Sequence, residues 1–152
     1  MDNTRENLEG YHLEATFKVV GAGEIRTRLR PGKHLGMKTK AIHATKAKEF
    51  AWQGSFHCHH HQQERYVVVS GALAAVWLDG DEIGGKIYRE GESFCFSSGV
   101  WHDILTGSGT EFVTIQVALA DVDVERDRDV WPNIPVGVVE VMQELYDTMI
   151  RF

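Results

Sequence analysis

The chemistry of this chain is concentrated in one short string, in which His57, Cys58, His59, His60 and His61 stand in a row, followed by Glu64 and then Gly71. Imidazole nitrogens and a carboxylate are the donors that divalent first-row metals prefer. The run that follows, Tyr66 to Val69, is aromatic and β-branched and reads as a strand. Alternate residues of a strand share a face, so His57 and His59 point the same way and Cys58 the other. A short turn through His60 to Gln63 then brings Glu64 round from the neighbouring position. A third imidazole has to come from elsewhere, and His102, in the strand-like GVWHDIL, is the best placed. A register moved by two, with His59, His61 and Glu64, is the alternative. His60 and His61 otherwise read as rim or turn groups, and Cys58 as a buried structural thiol.

What positions these side chains is a β-scaffold punctuated by glycine, of which the chain has 15. His12 to Val20 and Ile25 to Arg30 read as strands joined through Gly21 to Glu24, while Met37 to Ala44 and Lys48 to Trp52 are weaker candidates. Arg65 to Ser70 and Leu73 to Leu78 form a hairpin about Gly71, and Asp79-Gly80-Asp81 marks the next turn. Ile87 to Arg89, Ser93 to Phe96, Trp101 to Leu105 and Glu111 to Leu119 continue at short spacing. Many short strands with regular turns predict an all-β sandwich or barrel. Trp52, Phe56, Trp77, Phe94, Phe96 and Trp101 are expected to line and pack it. After Pro135, Val138, Val141, Met142, Leu145 and Met149 recur at helical spacing, which predicts an amphipathic helix over about 136–151 on the outside of the β-core. The segment before it, Asp121 to Asp129, reads as a charge-rich surface connector.

At 152 residues the chain is expected to form one domain, 1–152, with the metal-site core at about 51–119. A formal charge of −6 argues against nucleic acid or an anionic membrane as the main partner. No apolar stretch is long enough to span a bilayer, and the N-terminus lacks a signal pattern. Two cysteines are too few for a disulfide framework, so a cytoplasmic setting is the expectation. Half of the 16 basic residues lie between Glu24 and Glu49, where there is no acidic residue. Read as function, this basic wall recruits an anionic small molecule, with Arg26, Arg28 and Lys40 as candidate substrate contacts. Read as structure, it is an edge strand protected by charge, which is the better of the two readings. Tyr66 shares the strand face of Glu64, where it is either a proton donor or base near the metal or a core tyrosine. His12, His34 and His43 read as surface or edge residues rather than ligands.

Two motifs carry a family resemblance. The pattern His-x-His, four residues, Glu, six residues, Gly is met by His57, His59, Glu64 and Gly71, and it resembles the first motif of the cupin superfamily. The string from Gly91 through Ser97-Ser98-Gly99 to His102 is similar to the second. Ala51, Ser97 and Thr106 depart from the usual Gly, Pro and Asn, and none of them removes a ligand. The resemblance implies a small jelly-roll β-barrel holding one divalent metal inside through His57, His59, Glu64 and His102. Fe(II) is the favoured metal, with Mn, Ni, Zn or Cu tolerable. It implies an enzyme acting on a small, anionic or oxygen-rich organic molecule. Dioxygenase chemistry leads, and a metal-dependent isomerase, cyclase or lyase, or a non-catalytic sugar- or metabolite-binding module, are the alternatives. It further implies a homodimer, for which the strand His12 to Val20 offers an edge. Charge reversal at Arg28 (Arg28→Glu) is expected to raise the KM for an anionic substrate, and steady-state kinetics at low salt that match the wild type would overturn the basic-wall reading.

Overall fold

The structure, a computed structural model, describes residues 13–19, 23–29 and 37–152, the first two segments and Met37 as backbone. One sheet runs in the order β2 (Gly23–Leu29), β1 (Leu13–Val19), β9 (Ser93–Phe96), β6 (Gln62–Ser70), β11 (Glu111–Leu119) and β3 (Met37–Lys46). The other runs β12 (Asp129–Val130), β5 (His57–Cys58), β10 (Trp101–Thr106), β7 (Ala72–Asp79) and β8 (Glu82–Arg89). In this second sheet β4 (Ala51–Trp52) also pairs with β10. Every pairing is antiparallel except the short parallel contact of β1 with β9. Together they make a small jelly-roll barrel, closed on its outside by the C-terminal helix α1 (Val136–Met149).

The alternation of apolar and polar residues along each strand decides which side meets the interior. Tyr66 and Val68 of β6, Leu73 of β7, Phe94 and Phe96 of β9 and Ile104 of β10 pack between the two sheets. Tyr66 stacks on Phe94 with ring centroids 4.8 Å apart, and Phe94 stacks on Tyr88 at 4.1 Å. The opposite face of the second sheet, through Ala74, Val76 and Leu105, takes the apolar stripe of α1, Val138, Leu145 and Met149. That stripe follows the helical spacing read from the sequence.

The structure departs from the sequence reading in several places. Met37 to Ala44, a weak candidate, belongs to a ten-residue strand because it pairs along its length with β11. Lys48 to Trp52 shrinks to Ala51–Trp52. The segment read as Ile87 to Arg89 starts at Glu82, its pattern hidden by Gly84 and Gly85. Those glycines answer to packing. A Cβ on Gly84 would lie 2.4 Å from the Trp77 ring, and one on Gly85 would lie 2.6 Å from Val141 and 2.9 Å from Leu145 of α1. The strand expected to offer an edge to a partner is an inner one, because β1 is laddered to β2 on one side and β9 on the other. Arg26 and Arg28 sit on β2, at the edge of that sheet among the described residues. Their side chains, together with His12, Arg30, Lys33 and His34, lie outside the described residues. Gly85→Ala should force α1 off the sheet and destabilise the protein by roughly 1–3 kcal/mol, the usual range for overpacking, as read from chemical denaturation.

Candidate metal centre

β5 and β10 run antiparallel with His57 directly opposite His102, so both imidazoles leave the second sheet on one face. His59 follows β5 in the loop that leads to β6. Glu64 comes from β6 in the facing sheet, beside Gln116 of β11 and Phe96 of β9. The four donor atoms lie within 4.8 Å of one another. The structure therefore brings together the four residues that the resemblance implies as a set, of which parity and spacing single out His57 and His59. It does not form the alternative set with His61. His60 and His61 are exposed in the turn, and the His60 Nε2 faces Asp129 Oδ2 at 3.4 Å. Cys58 is buried on the opposite face, its thiol pushed up by burial and by the carboxylates of Asp129 and Asp127.

Each imidazole is held from behind. His57 Nδ1 meets the Ser55 carbonyl at 2.9 Å, His59 Nδ1 that of Asp127 at 2.6 Å, and His102 Nδ1 that of Val100 at 2.8 Å. A carbonyl can only accept, so Nδ1 is the protonated nitrogen in all three rings. The Nε2 lone pairs are left for the centre, which is the arrangement of ligating histidines. His102 is fixed further by Phe96, whose ring stacks on it at 3.9 Å. The loop is braced as well, because Gly99 N–H donates to the His59 carbonyl at 2.8 Å from a residue at φ +84°, which only glycine adopts without strain.

The electrostatics fit a cation. Burial opposes ionisation of Glu64, yet His102 and His59 bring its carboxyl well below the ordinary value. Burial, followed by His102, lowers His57 to about 4, so it stays neutral and able to ligate. His59 Nε2 is buried with no hydrogen-bond partner, because Glu64 Oε2 at 3.6 Å is an ion-pair distance rather than a hydrogen bond. Burial lowers its pKa but the Glu64 carboxylate outweighs that and raises it, so the site asks for positive charge at this nitrogen. Three neutral imidazoles, one carboxylate and an orphaned buried nitrogen suit a divalent first-row ion. Tyr66 Oη donates to Glu64 Oε1 at 2.7 Å. Burial and the Glu64 charge raise the phenol well above its ordinary range, which suits it to the donor role it has toward Glu64.

The centre opens into a cavity of about 500 Å³. Its wall carries neutral polar groups, Thr45 of β3, Gln53, and Thr114 and Gln116 of β11, over a floor of Ile104 and Phe112. His43 faces it from β3, and Val124, Glu125 and Arg128 reach it from the connector that follows β11. His43 is exposed on an edge strand of the described sheet and outside the donor set, as the sequence reading has it, but that reading gave neither it nor the surface connector a place at the cavity. No local signal marks either, because both are brought in by strand pairing and chain return. Lys40 is not on this wall, and its Nζ donates to the Ala120 carbonyl at 2.6 Å.

Residues 48–117 match the family model of the cupin domain. No curated protein matches the chain. Among solved structures, a 3,4-ketoisomerase from Helicobacter canadensis is similar in fold at 14% identity and a TM-score of 0.52, covering 76% of this chain and 85% of that one. The sugar 3,4-ketoisomerase QdtA from Thermoanaerobacterium thermosaccharolyticum, solved with TDP, gives 10% identity and 0.53 over 88% and 92%. The TDP-quinovose 3,4-ketoisomerase WlaRB from Campylobacter jejuni gives 12% and 0.53 over 91% and 94%. These likenesses establish the fold. They also correct the leading reaction class of the sequence reading, since these neighbours are ketoisomerases and not dioxygenases. The reason is chemical, because one donor set can polarise an organic oxygen as readily as hold dioxygen.

Behind the centre, Asp103 is buried beside the Ile104 and Gln53 N–H groups, and burial raises it to about 7. Its folded pKa lies above the ordinary value of 3.8, so the folded state binds the extra proton and stability falls as pH rises from about 4 to about 7. Asp103→Asn should therefore raise the melting temperature more at pH 8 than at pH 5, and an equal gain at both would refute the assignment.

Proposed function

We propose that the chain, whose residues 48–117 match the cupin domain model, is a metal-dependent isomerase of the cupin superfamily acting on a hydroxyl-rich carbonyl compound of the sugar class. The observation that carries the reading is the convergence of three imidazoles, each anchored through Nδ1, on one buried carboxylate at the base of a polar cavity. Fold neighbours named as sugar 3,4-ketoisomerases support the same class. His57, His59, Glu64 and His102 hold a divalent first-row ion, whose chemistry when bound is Lewis-acid polarisation of an oxygen. With the dioxygenase reading set aside, iron has no special claim over manganese, nickel or zinc on this donor set.

The remaining steps belong to the chain. Thr45, Gln53, Thr114 and Gln116 offer hydroxyl and amide groups of both donor and acceptor kind, which match hydroxyls better than they match a charged group. Phe112 and Ile104 exclude water from one side of the ligand. A ketone shift between neighbouring carbons removes a proton from the carbon bearing the hydroxyl and returns one to the former carbonyl carbon, with no net change in oxidation state. A group that carries that proton has to face the cavity and be free of the ligand set, and His43 and Glu125 meet both conditions. Tyr66 keeps Glu64 oriented by its hydrogen bond and stays protonated.

The test is exchange in D2O with a 4-keto sugar nucleotide, followed by NMR, on protein loaded with each metal. The expected result is metal-dependent deuterium entry at a ring carbon next to the carbonyl, falling about 10²-fold or more in His43→Ala if that imidazole is the proton carrier. Exchange that continues unchanged after chelation, or no exchange with any metal, would overturn the reading.

A further inference from the structure

We propose that Asp127 is the positioning residue of the metal centre, and that the connector 121–130 is its brace rather than a passive surface link. The inference rests on the metal reading above. Asp127 acts on the histidine loop with both its main chain and its side chain. Its carbonyl accepts the His59 Nδ1 proton at 2.6 Å, across a separation of 68 residues. Its carboxylate takes the two N–H groups that follow, His60 on Oδ1 at 3.0 Å and His61 on Oδ2 at 2.9 Å. One residue thus sets the ring of His59 and closes the turn that carries it. Two successive N–H groups on one carboxylate form a small anion nest, a stronger clamp than either bond alone.

The surrounding contacts keep Asp127 in place. Gln62 is buried and donates Nε2 to the Val124 carbonyl at 2.9 Å, with Asp127 O at 3.4 Å. Asp129 and Val130 then ladder onto Cys58 and His57, and Trp131 N–H donates to the Phe56 carbonyl at 2.9 Å. Arg128 adds a hydrogen bond to Ser55 Oγ. The connector is therefore tied to the residues on both sides of His57, and Asp127 is where it meets His59. Replacing the side chain leaves the carbonyl but removes the two bonds that hold the His60–His61 turn, and with it His59, against that carbonyl. The His60 and His61 N–H groups turn to water, and the His59 ring loses its fixed acceptor and with it its fixed tautomer. Loss of such support to a ligating histidine typically lowers metal affinity by about 10–100-fold. Gln62 Nε2 also lies 3.4 Å from Asp127 Oδ2, but its shorter bond to the Val124 carbonyl and the strand pairing of 129–130 do not depend on the carboxylate, so the fold should persist.

The experiment uses Co(II) as the probe, titrated into chelator-treated full-length protein, with affinity read by chelator competition and geometry by the visible ligand-field bands. The wild type is expected to bind one Co(II). Asp127→Ala should bind about 10–100-fold more weakly with altered bands. Asp127→Asn keeps one oxygen for one N–H and should fall between, and it serves as the second variant if alanine prevents folding. Asp121→Asn makes the same charge change at an exposed position of the connector and should behave as wild type. Wild-type affinity and bands in both Asp127 variants would overturn the positioning role while leaving the metal centre standing. A wild type that takes up no Co(II) would overturn the metal reading and the role of Asp127 with it.

Discussion

Three imidazoles give their Nδ1 protons to main-chain carbonyls, and the rest of the structure serves to keep those carbonyls where they are. A neutral imidazole has one donor and one acceptor, so committing Nδ1 commits Nε2. The commitment needs acceptors that do not move, and each carbonyl belongs to a differently restrained segment. Ser55 precedes β5, which is sandwiched between β10 and β12. Val100 sits in the turn between β9 and β10, where its own N–H is held by the Ser97 carbonyl at 3.3 Å. Asp127 lies on the connector. Backbone geometry in three places, rather than one motif, determines the chemistry available at the centre.

The second constraint is the buried negative charge of Glu64. An ionised carboxylate removed from water is costly unless it is hydrogen-bonded and paired. Here Tyr66 donates at 2.7 Å, whereas the His102 and His59 Nε2 atoms, 3.2 and 3.6 Å from the two oxygens, have no proton to give in the neutral rings, so the pairing charge would come from a cation held among them. Tyr66 can be aimed so tightly because its ring is clamped against Phe94 and Phe96. The aromatic interior thus orients a polar group, and the packing of the barrel and the acidity of the site are one problem. The ring of Phe96 also lies flat on His102, which ties a second donor to the same core.

Much of this was legible in the sequence, and the reasons differ by residue. His57, His59 and Glu64 follow from period two and loop length, and His102 from a strand pattern further on, because each property is local. The strands Ser93–Phe96 and Glu111–Leu119 and the helix from Val136 are equally local and coincide with the expected ranges or nearly so. What was hidden is non-local. A charged connector reads as surface, and most of its side chains are exposed, but its main chain and one carboxylate face the site. His43 reached the cavity through its pairing with Thr114. Lys40, next but two along the same strand, went to Ala120 instead. The place of β1 between two partners was invisible to any pattern along the chain. The reaction class was out of reach for another reason, since a donor set constrains the metal more than it constrains the chemistry.

The charge around the cavity argues for how a ligand is chosen. Three neutral imidazoles and one carboxylate would leave a bound divalent ion with a net charge of about +1. That residue of charge attracts an electron-rich oxygen without selecting among oxygens. On the described wall the titratable groups outside the donor set are His43, Tyr66, Glu125 and Arg128. Glu125 and Arg128, one of each sign, come from the same connector and largely offset each other toward an incoming ion. With little net field at the wall, selection of the proposed hydroxyl-rich ligand would fall to the pattern of hydroxyls that Thr45, Gln53, Thr114 and Gln116 can satisfy. A site of this kind rejects an analogue lacking one hydroxyl more strongly than one carrying an extra methylene, because a buried polar group left without a partner loses more than a small apolar gap does. Selectivity by unsatisfied hydrogen bonds requires walls that do not adapt. Those of this cavity stand on β3 and β11, laddered together from Met37 to Lys46 and from Glu111 to Leu119.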